Sequence, residues 1–301
     1  MNGIIRCETP QDYNDVFGLE TLHPLVAVID YSKLRSIDLP EGWSYGFYGI
    51  YLKGAGQCAL RYGRNYYDYK EGTLMFTAPN QAITLTKEDR DTPLEPNNRA
   101  LFFHPDIIRG TSLGKNIKDY TFFSYDVHEA LHLAESERQM VIDCFRNIEY
   151  ELNRGIDKHS KTLIVSNVEL FLNYCVRFYD RQFITRQNAN IDILSKFELL
   201  LNNYFQSDLP KTLGLPSVKY CAEQLNISAN YFGDLLKKET GKNAQEHIQL
   251  KLIEAAKEKL FQKDKTVSEI AYELGFEYPQ YFSRIFKKKV GVTPNEYRIA
   301  N

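Results

Sequence analysis

The last third of the chain states one pattern twice. The segment VKYCAEQLNISANYFGDLLKKETGKNAQEHI, from Val218, returns as VSEIAYELGFEYPQYFSRIFKKKVGVTPNEYR, from Val267. Val218 aligns with Val267, Ala222 with Ala271, Leu225 with Leu274 and Ile227 with Phe276. One extra residue then enters the second copy. After it, Tyr231-Phe232 meets Tyr281-Phe282, Leu235-Leu236 meets Ile285-Phe286, Lys237-Lys238 meets Lys287-Lys288, Gly241 meets Gly291 and Glu246 meets Glu296. A repeat of this length means one supersecondary unit used twice.

Each copy reads as a helix-turn-helix. A short helix carries a small residue, Ala222 or Ala271, where a second helix must cross closely. Asn226 or Gly275 tolerates the positive φ that ends that helix, and Ile227 or Phe276 plugs the corner. Ser228 is suited to N-cap the next helix, and Pro279 fits the first turn of its counterpart. That second helix buries Phe232, Leu235 and Leu236, or Phe282, Ile285 and Phe286, and Gly241 or Gly291 stops it. The plainer alternative is a pair of helical hairpins with no nucleic-acid role. Between the copies, AQEHIQLKLIEAAKEKLFQ (244–262) predicts a helix with Ile248, Leu252, Ala255, Ala256 and Leu260 on one face. Its ~18 residues, at about 1.5 Å each, span roughly 27 Å. With the offset of the units themselves, this approaches the ~34 Å between successive major-groove windows on one face of B-DNA.

These residues resemble the DNA-binding domain of the AraC/XylS family. The resemblance is carried by YFGDLLKKETG and, more specifically, by AYELGFEYPQYFSRIFKKKVGVTPNEYR (271–298), and it covers residues 195–301. It implies seven helices, two helix-turn-helix units and a connecting helix, with an upstream domain that senses a ligand or dimerises. The implied base-reading positions fall on Gln280, Ser283 and Arg284. Their i, i+3, i+4 spacing opposite the apolar face leads to the same residues: Arg can address guanine and Gln adenine in the major groove. The matching positions of the first copy are Asn230, Gly233 and Asp234. Here the chain departs from the common pattern, because a carboxylate facing the groove is repelled by phosphates and accepts only from cytosine. Lys237, Lys238, Lys287 and Lys288 suit phosphate contacts, the alternative being a solvated face. Ser217 and Thr266 open the first helix of each copy, where backbone N–H groups can hold a phosphate.

The charge distribution agrees. From Ser195 onward there are 16 Lys and Arg against 13 Asp and Glu, leaving 21 against 26 before it, so a basic module follows an acidic one.

Upstream, WSYGFYGIYL (43–52), QCALRY (57–62), TLMFTA (73–78), AITLT (82–86) and ALFFH (100–104) read as strands. They predict a β-rich sensor domain over residues 1–126, similar by pattern to the cupin-like barrel that many members of the family carry. Amphipathic helices follow within 127–152 and 159–183, the second with Ile164, Val168, Phe171, Cys175 and Phe178 on one stripe. Leu163, Leu170 and Leu172 widen that stripe, so 127–184 is expected to be a helical dimerisation segment. The polar stretch at 185–194 is read as a linker, and 195–301 as the DNA-binding domain. The expected fold class is α+β: an amino-terminal cupin-like β-barrel with the helical segment, then an all-α domain of two helix-turn-helix units joined by a long helix.

Chemistry in the first half finds little support. The six histidines form no HxH pair, and His128 and His132, four apart, have no HExxH glutamate and are read as surface residues at a helix start. No metal or cofactor is expected, and no catalytic residue is assigned. Trp43, Tyr45, Tyr48, Arg61 and Phe76 are candidate ligand-pocket residues, against ordinary core or surface roles. The scattered cysteines (Cys7, Cys58, Cys144, Cys175, Cys221), the absence of an apolar run near ~20 residues and a start without a leader predict a reduced, cytoplasmic protein with no membrane role. The expected function is a dimeric, sequence-specific transcription regulator of double-stranded DNA. A small-molecule effector of unknown identity, or a partner, acts on the first domain, and RNA polymerase is a further partner. The rival readings are a constitutive DNA-binding dimer and a cupin-type metalloenzyme with an accessory DNA domain.

Overall fold

The computed structural model describes residues 4–33, 42–53, 61–62, 65–66, 72–84, 98–126, 129–185, 187–261 and 264–300. They belong to two compact units, Met1–Thr185 and Arg186–Asn301.

The first unit opens with β1 (Ile4–Cys7) and α1 (Pro10–Phe17). Thr9 and Asp12 start α1 reciprocally, each side chain bonding the other's backbone N–H, with Pro10 in the first turn. Then come β2 (Val26–Asp30), β3 (Gly42–Tyr45), β4 (Tyr48–Lys53), β5 (Arg61–Tyr62), β6 (Asn65–Tyr66), β7 (Thr73–Thr77), β8 (Ala82–Thr84) and β9 (Arg99–Phe103). The aromatic run at 43–52 is thus two strands. At the break between them, a Cβ on Gly46 would lie 2.5 Å from the Glu8 carbonyl oxygen, so close passage against the end of β1 requires glycine. After short helices α2 (Pro105–Ile108) and α3 (Ser112–Asn116) come β10 (Leu131–His132), α4 (Glu135–Asn153) and α5 (Ser160–Thr185).

Among the described residues the strands make separate sheets, β10-β7-β4-β9-β2, β1-β3-β8 and the β5-β6 ribbon, and no closed barrel. The five-stranded sheet is antiparallel throughout. Its alternation decides both cores. Ala27, Ile29, Ala100 and Phe102 point to one face, where they meet Trp43, Tyr45, Phe47, Tyr13 and Cys7. Val26, Ile50, Leu52, Leu74, Phe76, Leu101 and Phe103 point to the other, where the Phe76 ring lies tilted against Phe122 at 4.5 Å and reaches Tyr179 of α5.

The structure departs from expectation at residues 129–134. His132 is buried in an edge strand rather than on the surface at a helix start, and its ring Nδ1 lies 3.3 Å from the Thr73 hydroxyl. The reason is tertiary. Gln182 of α5, itself buried, accepts from the His132 N–H at 2.7 Å and donates to the Ala130 carbonyl, satisfying backbone groups that this edge strand would otherwise leave open. His128 lies outside the described residues. Cys7, Cys144, Cys175 and Cys221 are free and buried, whereas Cys58 and residues 57–60 and 85–86 of two expected strands also lie outside them.

The second unit is helical: α6 (Gln187–Gln206), α7 (Leu209–Leu213), α8 (Val218–Gln224), α9 (Ala229–Thr240), α10 (Ala244–Leu260), α11 (Val267–Glu273), α12 (Pro279–Val290) and α13 (Pro294–Ala300). Its described residues thus form eight helices where seven were implied. The polar stretch read as a linker is helical from Gln187. The connecting helix α10 buries Ile248, Leu252, Ala255, Ala256 and Leu260 as its pattern requires, along with Ala244 and Ile253. No helix of the described residues is long and apolar enough to cross a membrane.

Candidate nucleic-acid interface

The duplicated sequence becomes duplicated geometry. In the first copy Asn226 takes φ +56°, in the second Gly275 takes φ +89°. The Asn226 N–H donates to Glu223 O and the Ile227 N–H to Ala222 O at 3.1 Å. The Gly275 N–H likewise donates to Tyr272 O and the Phe276 N–H to Ala271 O at 3.0 Å. Both are the paired 5→2 and 6→1 bonds that close a helix through a left-handed residue. Ile227 and Phe276 are buried at the two corners, and Ala222 and Ala271 are buried where the helices cross.

Helices α9 and α12 follow. Ser228 accepts from the Tyr231 N–H at 3.2 Å, while Pro279 occupies the first turn of α12. Gly241 and Gly291 end them in the left-handed region, donating to Lys237 O and Lys287 O. Phe232, Leu235, Leu236, Phe282 and Phe286 are buried as expected. Ile285 is only half-buried, and Tyr231 is 1% exposed where its counterpart Tyr281 is 51%. The two faces are therefore not copies of one another.

On α12 the outward positions carry Gln280 and Arg284, both exposed, with Ser283 half-buried between them. The Arg284 guanidinium lies over the exposed Tyr281 ring, 4.9 Å from its centroid, and Tyr281 packs edge-on against Tyr278. The ring orients the guanidinium without consuming its N–H donors. The sequence alignment of Tyr281 with Tyr231 assigns it no role of its own; its i, i+3 spacing from Arg284 is the signal that locates this contact. On α9 Asn230 is exposed, and Gly233 and Asp234 are half-buried. A Cβ on Gly233 would meet nothing within 4 Å, so this position opens outward.

Lys237, Lys238, Lys287 and Lys288 are exposed in the last turns of α9 and α12, joined by Lys289. There they also complement the negative end of the helix dipole. Ser217 and Thr266 both cap: Ser217 Oγ accepts from the Tyr220 N–H, and Thr266 Oγ1 from the Glu269 N–H. At Thr266, however, Glu269 accepts the backbone N–H at 2.7 Å and the hydroxyl at 2.8 Å, bonds that hold its carboxyl below the usual carboxylate range. A phosphate would meet that carboxylate at Thr266.

Residues at the end of the second copy brace the unit. Arg298 Nε donates to Leu260 O at 3.1 Å, satisfying a carbonyl at the end of α10. Lys257 lies 5.7 Å from the centroid of Tyr297, whose ring packs against Phe286. Glu273 joins Lys259 of α10 at 3.1 Å and Lys265 at 2.7 Å, tying the second copy to the connecting helix.

The candidate pocket residues upstream do not gather round one cavity. Trp43 and Tyr45 lie in the core on one face of the five-stranded sheet, whereas Phe76 and Tyr48, the latter stacked on Phe103 at 4.9 Å, lie on the opposite face. Arg61 pairs with Tyr66 in the short ribbon, and its side chain lies outside the described residues. Among the described residues no three His, Cys, Asp or Glu converge as a metal site.

Comparison with known proteins meets this geometry in the same place. A family described as "Helix-turn-helix domain" matches residues 221–300. The "Uncharacterized transcriptional regulatory protein YesN" of Bacillus subtilis is 42% identical over 29% of this chain and 25% of its own length. The "Uncharacterized HTH-type transcriptional regulator YobQ" of the same organism is 26% identical over 79% of this chain and 90% of its own. A solved carboxy-terminal domain of the two-component response regulator yesN from Fusobacterium nucleatum is 30% identical, covering 34% of this chain and 96% of that one, with a TM-score of 0.29. The chain thus spans only a quarter of YesN, and the likeness is concentrated in the repeat. Residues 221–300 thus carry a helix-turn-helix domain of the AraC type, and the relatives that share it are named as transcriptional regulators.

Proposed function

We propose that the protein regulates transcription by gripping double-stranded DNA with α9 and α12 in successive major grooves. The observation that carries this reading is the pair of congruent corners, each followed by a helix with an apolar inner face and an open outer one. Gln280, Ser283 and Arg284 read bases on α12, and Asn230 and Gly233 do so on α9, with Asp234 a weaker reader because of its charge. Lys237, Lys238, Lys287 and Lys288 neutralise phosphates, as do the helix starts at Ser217 and, against Glu269, Thr266. The protein acts as a dimer through α5, whose Leu163 and Leu170, one heptad apart, are 44% and 47% exposed. The first unit senses an effector, and RNA polymerase is the downstream partner.

The test is a selection of preferred DNA sites followed by binding to the selected site and to random DNA. Arg284→Ala is expected to weaken the specific site by about 10-fold or more and random DNA little, whereas Lys287→Ala weakens both alike and lowers the salt slope by about one. Equal losses for Arg284→Ala on both DNAs would remove it from the reading set.

A further inference from the structure

We infer that the first unit binds a small organic dianion in a pocket between the five-stranded sheet and α4, held by Arg99, Arg138 and Arg146. The cavity has a volume of about 290 Å³ and is lined by Asp30, Ser32, Leu52, Arg99, Arg138, Ile142 and Arg146. That is the small end of the ~300–1,000 Å³ typical of ligand sites. Register builds one wall: Arg99 stands opposite Asp30 on β2 and Leu52 on β4, so the three form a row at the end of the sheet. Helical spacing builds the other, because Arg138, Ile142 and Arg146 recur every four residues along one face of α4.

The lining carries three guanidiniums and one carboxylate. That carboxylate is already engaged: Asp30 Oδ1 accepts from the Ser32 hydroxyl at 2.6 Å and from its N–H at 3.0 Å. Arg99 reaches Asp30 Oδ2 only at 3.8 Å, too far for a hydrogen bond. Arg146 touches Asp143 at 3.5 Å, and outside the lining Lys33 faces Glu149 at 3.9 Å. Arg138 has no carboxylate partner among the described residues, and its Nε is sealed from solvent without an acceptor. A buried unmade donor on a cation costs free energy in the empty protein, and so do three guanidiniums facing one cavity. A bound oxyanion offsets the repulsion among the guanidiniums that line the cavity. Guanidiniums match phosphate and carboxylate oxygens in pairs, while Leu52 and Ile142 offer an apolar floor to a carbon skeleton. The shared chemistry is therefore a compact double negative charge on a small organic body, as in a phosphate monoester or a dicarboxylate.

Calorimetric titration of the full chain with glucose 6-phosphate, succinate and glucose, at matched ionic strength, tests this directly. Saturable one-to-one binding of glucose 6-phosphate or succinate, but not glucose, is expected. Which of the two binds separates the sources of the charge. Arg138→Gln and the exposed Arg146→Gln should each weaken that binding about 10-fold or more, and neither should lower the melting temperature of the ligand-free protein. Absence of saturable binding by both dianions, or unchanged affinity in both variants, overturns the pocket. The inference does not depend on the DNA reading, since no DNA enters the measurement.

Discussion

Arg284 shows how much chemistry one side chain inherits from its neighbour three residues earlier. The Tyr281 ring limits where the guanidinium can point, so less rotamer freedom would be lost on meeting a base edge in the proposed reading role. Gly233 on α9, the counterpart of Ser283, leaves its position open. With open space where its Cβ would be, Gly233→Ala is expected to raise stability by about 0.5–1 kcal/mol, read in urea melts, because glycine is a poor helix residue. The same change should weaken the selected DNA site, by holding the α9 backbone away from the bases. Glu273 belongs to a different class of residue, one that holds rather than reads. Its hydrogen bond from Lys265, and then that from Lys259, keep its carboxyl below the ordinary value of 4.5. A carboxyl whose folded pKa is depressed contributes stability above its unfolded pKa and loses that contribution as pH falls through the folded value. Glu273→Gln should therefore cost about 1 kcal/mol at pH 7 and progressively less below pH 4.5, measured by denaturation across that range.

The two turns look alike by conformation and differ by surroundings. Asn226 and Gly275 both sit in the left-handed region, where Asn and Gly are the residues at ease. Around Gly275 the chain is also crowded: a Cβ would lie 2.7 Å from Gly214 C and 2.8 Å from the carbonyl oxygens of Gly214 and Pro210. Asn226→Gly should accordingly shift stability by only a few tenths of a kcal/mol, whereas Gly275→Asn, conformationally similar, should cost about 2 kcal/mol or more by overpacking. Equal effects in thermal melts would mean that backbone conformation alone governs both turns. The α4 region gives the same lesson in reverse. The amphipathic pattern within 127–152 locates a helix, but its first residues are diverted because Gln182 of α5 recruits β10 into the sheet. That partner is 50 residues away in the chain and leaves no local trace.

The two compact units divide at Thr185 and Arg186, and each has its own core. If α5 assembles the protein, replacing both Leu163 and Leu170 with Asp should turn a dimer into a monomer by light scattering, while the helical signal of the chain persists. Affinity for a two-site operator should fall with it, since the linked modules no longer bind as one. The second unit was legible almost completely from residue order. Its contacts are local, its period repeats, and its Ala, Asn, Gly, Ser and Pro stand where helix crossings, left-handed turns and caps demand them. The first unit was legible as strands and amphipathic helices but not as an arrangement. Which strands pair, and that they form separate sheets among the described residues, depends on hydrogen bonds between segments far apart in the chain. The gathering of Arg99 with Arg138 and Arg146 depends on them too, through a register that local composition does not encode.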